Sequence, residues 1–110
     1  MRFNKINNFD ERLSSSNAIL SKHKNRKPII IYCEEKDVNF KFLLLDSHTI
    51  SIVILNLKQR LKLSNQDSIF LFINKSVIPC PTETILSLYN KYKDKDGYLY
   101  IDVKKENTFG

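Results

Sequence analysis

The sequence predicts an α+β fold in which a four-stranded mixed sheet is crossed by one long helix, with an additional helix at the N-terminus. Three observations predict this fold. Four short segments, at residues 29–33, 40–45, 68–73 and 98–103, are rich in β-branched and aromatic residues. One segment between them, residues 50–61, repeats apolar residues at helical spacing. The length of 110 residues is that of one domain.

The N-terminal part is predicted to be a basic arm followed by a helix. Residues 1–8 are expected to be mobile. Asp10 is a candidate N-cap for a helix over residues 10–22, on which Leu13 and Leu20 share one side. The extra helix must pack away from the face of the sheet that the crossing helix covers.

The central part is predicted to be a hairpin followed by the crossing helix. Pro28 ends any preceding helix, and the strands 29–33 and 40–45 flank a polar turn. Residues 50–61 have the composition of a strand, but their apolar residues form a stripe at helical spacing. We predict a helix there. The stripe is Ile50, Val53, Ile54, Leu57 and Leu61.

The C-terminal part is predicted to be strand, short helix and strand. Residues 68–73 are almost continuously apolar, which is typical of a central strand covered on both faces. A short helix is predicted over 82–89, capped by Thr82. Asp96-Gly97 is a strong turn signal before the alternating strand 98–103.

This order of elements describes a β-grasp, the ubiquitin-like fold. We expect a single domain in which residues 28–103 form the β-grasp core. Residues 1–27 form the arm, helix and connector, and residues 104–110 form a flexible tail.

Charge and composition limit the function. The net charge is +6, and residues 1–62 carry 12 Lys and Arg against 6 Asp and Glu, so an acidic partner is expected. The apolar runs are too short to span a membrane, and the start lacks the apolar region of a signal peptide. Cys33 and Cys80 are therefore expected to be reduced thiols of an intracellular protein. With two histidines and no CxxC motif, we expect no metal site and no cofactor.

Several motifs together resemble a known family, the autophagy ubiquitin-like modifiers of the GABARAP type. The resemblance covers roughly residues 9–110, and its C-terminal block is the most specific part. The motifs, in chain order, are Lys41-Phe42-Leu43, Lys58-Gln59-Arg60-Leu61-Lys62-Leu63, Phe70-Leu71-Phe72-Ile73-Asn74, Leu88-Tyr89, Lys93-Asp94-Lys95-Asp96-Gly97-Tyr98-Leu99-Tyr100 and Glu106-Asn107-Thr108-Phe109-Gly110.

The resemblance implies a modifier that is joined through a C-terminal glycine to phosphatidylethanolamine on autophagosomal membranes. Its implied partners are the activating and conjugating enzymes, a processing and deconjugating cysteine protease, and cargo receptors. The implied location is the cytoplasm, and the autophagosome membrane once the protein is lipidated. The modifier itself is not an enzyme, and no specific nucleic acid is expected.

Gly110 is the expected conjugation site, and Phe109 is expected to be read by the processing and conjugating enzymes. The Gly110 carboxylate must be adenylated and passed between thiolates before an amine attacks it. A glycine has no Cβ to obstruct that attack or to crowd a narrow enzyme groove.

The resemblance also implies a groove for acidic peptides of the form aromatic-x-x-aliphatic, which would add a strand beside the second hairpin strand. We expect a micromolar affinity, about −8 kcal/mol. Asn56 stands where the family favours an apolar residue. The expected aromatic pocket is Ile19, Pro28, Ile30, Lys41, Leu43 and Tyr98; the expected aliphatic pocket is Phe42, Leu44, Leu45, Val53 and Asn56; the expected contacts to acidic side chains are Arg26, Lys41 and Arg60.

Other functions remain open from the residues alone. The same fold could be conjugated to protein lysines, or could serve as a basic binding domain without conjugation. A Cys/His nucleophilic pair would require Cys33 or Cys80 beside His23 or His48. Nucleic-acid binding could use the basic residues 22–27 together with exposed Tyr98 and Tyr100 as stacking platforms, although no recognisable signature is present.

Overall fold

The computed structural model describes residues 1–106, which form four helices and four strands. Their arrangement confirms the predicted α+β, ubiquitin-like fold with additional N-terminal helical structure. The elements in chain order are α1 (Phe3–Ile6), α2 (Phe9–Lys22), β1 (Arg26–Cys33), β2 (Val38–Leu45), α3 (Ile50–Arg60), β3 (Ile69–Phe72), α4 (Ile85–Tyr92) and β4 (Leu99–Lys105).

The strands form one mixed sheet in the order β2-β1-β4-β3. The central pair, β1 and β4, is parallel, and each outer strand pairs antiparallel with its neighbour. The prediction that residues 68–73 form a central strand is wrong, because β3 lies at an edge and the Phe70 side chain is 40% exposed. The strand covered on both faces is β1, in which Ile29, Ile30 and Ile31 are all buried.

The main core lies between the sheet and α3. Ile50, Val53 and Leu57 are buried along one side of α3, so the helical stripe outweighs the strand-like composition of this segment. These side chains share one cluster with Ile29 and Ile31 from β1. The predicted crossing helix is confirmed, and it ends at Arg60, with Leu61 as its C-cap.

The second face of the sheet is covered by the N-terminal helices. Ile30 points away from the main core into a separate cluster with Phe3 and Tyr98, against which Ile19 of α2 packs. The prediction that α2 packs away from the face covered by α3 is therefore confirmed. The N-cap of α2 is Asn8 rather than Asp10, since the Asn8 side chain accepts a hydrogen bond from the Glu11 amide.

The N-terminal arm differs from the prediction that residues 1–8 are mobile. It contains the single-turn helix α1, and Phe3 is 9% exposed. Arg2 forms an ion pair with Asp102 of β4, with 2.5 Å between Nη1 and Oδ1. One aromatic residue and one arginine make no periodic pattern, so the sequence contains no signal for this docking.

Several strands are longer than predicted. β1 begins at Arg26 and includes Pro28, which is tolerated because the pairing of β1 with β4 starts only at Ile29. β4 continues to Lys105, which pairs with Ile69, so residues 104 and 105 of the expected flexible tail belong to the sheet.

The short helix α4 begins three residues later than predicted and continues to Tyr92. Its N-cap is Thr84 rather than Thr82, because the Thr84 hydroxyl accepts a hydrogen bond from the Ser87 amide at 3.2 Å. The residues before it form a turn closed by the Glu83 amide and the Cys80 carbonyl.

Candidate functional site

The candidate site is built around β2, an edge strand. Among the described residues, β2 pairs with β1 only, so its outer edge has backbone groups to which another strand could hydrogen-bond. Successive side chains of a strand point to opposite faces. β2 therefore separates the expected aromatic and aliphatic pockets, which lie on opposite faces of the sheet.

The expected aromatic-pocket residues come together on the face covered by α2. Cross-strand partners share a face, and Lys41 pairs with Ile30 while Leu43 pairs with Pro28. Tyr98 lies in the same cluster as Ile30. α2 contributes Ile19 to this cluster, as expected.

Phe3 packs against these residues, and no sequence pattern indicated this contact. Its ring centroid lies 5.2 Å from that of Tyr98, in an edge-on arrangement, and Lys41 Nζ lies 5.0 Å from the centre of the Phe3 ring. Ile30 and Tyr98 are each 1% exposed in the same cluster. The arm thus places an aromatic side chain among residues that were expected to form the aromatic pocket.

Ser15 adds a polar contact at the rim of this pocket. Its hydroxyl lies 2.7 Å from the Tyr98 hydroxyl, which fixes the tip of the tyrosine ring against α2. A small cavity of 170 Å³ remains beside Phe3, lined by Asn7, Glu11, Arg12, Ser15 and Lys41 as well as Phe3 itself.

The expected aliphatic pocket is only partly assembled. Phe42 and Asn56 line an open cavity of 420 Å³ together with Gln59 and Arg60. Leu44 and Val53 are buried in the main core beneath it. The strand alternation places Leu45 on the face of Lys41 and Leu43, so Leu45 does not lie beside Phe42 and Leu44 as predicted.

Gln59 also lines this cavity, although it was not among the residues predicted from the sequence. Gln59 is one position from Arg60 and lies outside the apolar stripe of α3, so only the three-dimensional packing identifies it. The amide groups of Gln59 and Asn56 and the Arg60 guanidinium make this cavity more polar than a typical aliphatic pocket.

The residues expected to contact acidic side chains differ in their hydrogen bonding and exposure. The Arg26 guanidinium donates a hydrogen bond to the Leu43 carbonyl at 3.1 Å, which ties it to β2. Lys41 and Arg60 are exposed, and Arg60 lies 5.2 Å from the centre of the Phe42 ring. Lys41 lies on the edge strand itself and Arg60 lies at the end of α3, so both could meet an acidic peptide along β2.

Phe109 and Gly110 lie outside the described residues. Glu106 is the last described residue, and its amide donates a hydrogen bond to the Ser68 carbonyl at 2.8 Å. This bond places the start of the tail beside β3, the edge opposite to β2.

Several observations on residues 1–106 concern the alternative functions, namely nucleic-acid stacking, cysteine chemistry and metal binding. Tyr98 is buried, so the expectation of an exposed stacking tyrosine at this position is wrong. Cys33 is buried and Cys80 is exposed. Within the described part of the chain, no group of three or more His, Cys, Asp and Glu side chains could hold a metal ion. No helix there is long and apolar enough to cross a membrane.

Known proteins resemble this chain along nearly its whole length. Residues 11–110 match the family model of the autophagy protein Atg8, ubiquitin like. Autophagy-related protein 8e of Arabidopsis thaliana is 34% identical over 113 residues, which cover 98% of this chain and 92% of that protein. Autophagy-related protein 8 of Kluyveromyces lactis is 34% identical over 109 residues, covering 93% of this chain and 86% of that protein. The crystal structure of Trypanosoma brucei ATG8 has a TM-score of 0.86 at 25% identity, and the match covers 100% of this chain and 98% of that one.

Proposed function

This chain belongs to the Atg8 family of autophagy ubiquitin-like modifiers, and from that membership we propose that it is conjugated through Gly110 to phosphatidylethanolamine and then recruits cargo receptors. The observation that carries the proposal is the family match, which runs through the C-terminal block to Gly110 itself. In this role the chain is the substrate of activating, conjugating and deconjugating enzymes, and catalyses nothing. It resides in the cytoplasm, and on the autophagosome membrane once lipidated.

The chemistry of the tail supports conjugation. Glycine at position 110 leaves the terminal carboxylate open to attack after it has been activated. β4 ends at Lys105, so five residues follow the last strand residue before the reactive carboxylate. An extended chain spans at most about 3.3–3.6 Å per residue, so five residues can reach up to about 17 Å from the last strand residue.

The conjugation test is the mass of the C-terminal peptide, isolated from starved cells that express either the wild-type chain or Gly110→Ala. We expect a phosphatidylethanolamine adduct on Gly110 that is absent from the variant. A lysine-linked remnant would instead show that the modifier is attached to proteins. A free carboxylate in all conditions would contradict conjugation and leave a ubiquitin-like binding domain.

The geometry around β2 supports the second half of the proposal, recruitment of receptors that carry aromatic-x-x-aliphatic motifs. An extended peptide paired with β2 would direct alternate side chains to the two faces of the sheet. One face carries the aromatic pocket and the other the cavity next to Phe42, and the exposed Lys41 and Arg60 would attract acidic residues.

Titration calorimetry with an acidic Trp-x-x-Leu peptide tests this half. We expect a dissociation constant in the micromolar range, which weakens at high salt because the cations are exposed. Lys41→Glu should weaken binding, whereas Lys95→Glu, in the turn before β4, should not. Equal binding by both variants would contradict the placement of the peptide on β2.

A further inference from the structure

We propose that Phe3 is an intramolecular ligand of the aromatic pocket, so that an incoming peptide must displace the N-terminal arm before its own aromatic residue can bind. This inference rests on the proposed peptide-binding function and adds a regulatory step to it. It begins from the contacts of one side chain, since the arm buries Phe3 but leaves Met1 and Ile6 exposed.

Phe3 is surrounded by residues of the expected pocket. It forms a buried cluster with Ile30 and Tyr98, and Lys41 lies over its ring at 5.0 Å. A cation over an aromatic face is also the contact that Lys41 would offer to a peptide tryptophan. Ile30 and Tyr98 are each only 1% exposed, and Phe3 is packed against both. A peptide side chain could therefore reach them only after Phe3 has moved.

Polar contacts position the arm beside β2. The Phe3 amide donates to Asn39 Oδ1 at 2.9 Å, and Asn39 Nδ2 donates to the Met1 carbonyl at 2.8 Å. Arg2 pairs with Asp102, and the Arg2 guanidinium also lies 4.5 Å from the centre of the Tyr32 ring. The hydrogen bond to Asp102 raises the pKa of Arg2 above its usual value.

The arm is held in a way that permits release. A helix of one turn has no stability of its own, so α1 depends on its contacts with the sheet. The ion pair of Met1 with Asp37 joins two exposed side chains and contributes little. The pair of Arg2 with Asp102 is partly buried, with side chains 40% and 20% exposed, so it adds to the attachment of the arm. Among the apolar side chains of the arm, Phe3 is the buried one, and a peptide aromatic residue could take its place in the same cluster.

The binding test compares the wild-type chain with Phe3→Ala, using titration calorimetry with the Trp-x-x-Leu peptide. If the pocket is open in about a tenth of the molecules, removing Phe3 should tighten binding about tenfold. The matched control is Ile6→Ala, which removes an exposed apolar side chain from the same arm and should leave the affinity unchanged.

Asn39→Ala separates release of the arm from reshaping of the pocket. This variant keeps Phe3 and every expected pocket residue but removes two hydrogen bonds that hold the arm. It should tighten binding severalfold. A Tyr-x-x-Leu peptide should gain by the same factor as the Trp peptide in each variant, because the cost of displacing the arm is common to both.

Limited trypsin digestion tests the proposal on the wild-type chain alone, so it does not require any variant to fold. Arg2 and Lys5 lie in the arm, and their peptide bonds should be cut faster when the peptide is present. A cleavage rate at these sites that is unchanged or lower on binding would overturn the proposal.

The outcomes distinguish this inference from the proposed function. Tighter binding by Phe3→Ala supports both. Equal or weaker binding by a folded Phe3→Ala, with micromolar binding by the wild-type chain, would overturn the inference and leave the function standing, since Phe3 would then be a fixed wall of the pocket. Failure of both proteins to bind any peptide would overturn peptide binding and the inference together.

Discussion

The guanidinium of Arg12 on α2 lies 2.6 Å from the carboxylate of Asp96, whose side chain is completely buried. Asp96 also accepts hydrogen bonds from the Tyr98 amide and the Tyr100 hydroxyl. This pair joins the helix that carries Ser15 and Ile19 to the turn that carries Tyr98. It therefore holds together two walls of the expected aromatic pocket.

Replacement of Arg12 by alanine should destabilise the fold strongly. It would leave the Asp96 charge buried without its partner, and breaking a buried pair in this way typically costs about 3–5 kcal/mol. The free energy of unfolding from urea titration measures the effect. Arg60→Ala removes an exposed arginine and should cost less than about 1 kcal/mol. Equal losses in the two variants would contradict the importance of the buried pair.

The stability should fall at alkaline pH because of Tyr100. Burial, together with the hydrogen bond that it donates to Asp96, raises the pKa of Tyr100 well above the usual value of about 10. A folded-state pKa above the unfolded one gives stability that is complete below about pH 10 and is lost as the pH rises towards the folded-state value.

Thermal unfolding of the wild-type chain and of Tyr100→Phe between neutral and alkaline pH tests this dependence. The variant lacks the hydrogen bond to Asp96 and should be less stable at neutral pH by about 1 kcal/mol. Its deficit should shrink as the pH rises above about 10, because only the wild-type chain must keep Tyr100 protonated. Both proteins have the same lysines, so parallel curves would contradict the assignment to Tyr100.

Gly97→Ala should destabilise the turn before β4. Gly97 has a φ of +88°, a conformation that strains any residue with a side chain. An added Cβ would also lie 2.9 Å from the Ser16 Cβ, and closer still to the Ser16 hydroxyl, on the buried side of α2. The backbone strain alone is about 1–3 kcal/mol. Urea titration measures the loss. Lys95→Ala, an exposed change in the same turn, should lie within about 0.5 kcal/mol of wild type.

Asn56→Leu should tighten binding of the Trp-x-x-Leu peptide. Asn56 lines the cavity next to Phe42, and an apolar side chain there would add contact with the aliphatic residue of the peptide. A gain of about 1 kcal/mol corresponds to about fivefold in affinity. Calorimetry measures it, with Asn90→Leu, on the exposed side of α4, as the control. Unchanged affinity in Asn56→Leu would show that the aliphatic residue binds elsewhere.

Local periodicity predicted the elements that a single amphipathic pattern specifies. The α3 stripe and the inward set Leu99, Ile101 and Val103 were both predicted, and all of these residues are buried except Ile54, which is partly buried. β3 was misplaced because continuous apolarity does not reveal whether a strand has one neighbour or two. Strand order depends on contacts between distant segments, which the composition of one segment does not encode.

The site was predicted less completely than the fold. The residues expected to form the aromatic pocket were named, but Phe3 was missed because its contacts with Ile30 and Tyr98 join segments that are distant in sequence and follow no local pattern. Leu45 was assigned to the wrong face, although strict alternation along β2 places it with Lys41 and Leu43. The roles of the site residues remain predictions.

The position of β4 between β1 and β3 means that the sheet is complete only when the last strand has joined it. Ile29 pairs with Leu99, so the central strand pair of the sheet joins an early segment of the sequence to a late one. Contacts between distant segments slow folding, because a long loop must close before they form. β4 is also the last strand to be synthesised, and until it arrives β1 and β3 each expose an unpaired edge. We therefore expect a nascent chain that stops before Leu99 to leave these strand edges open to aggregation or to chaperones.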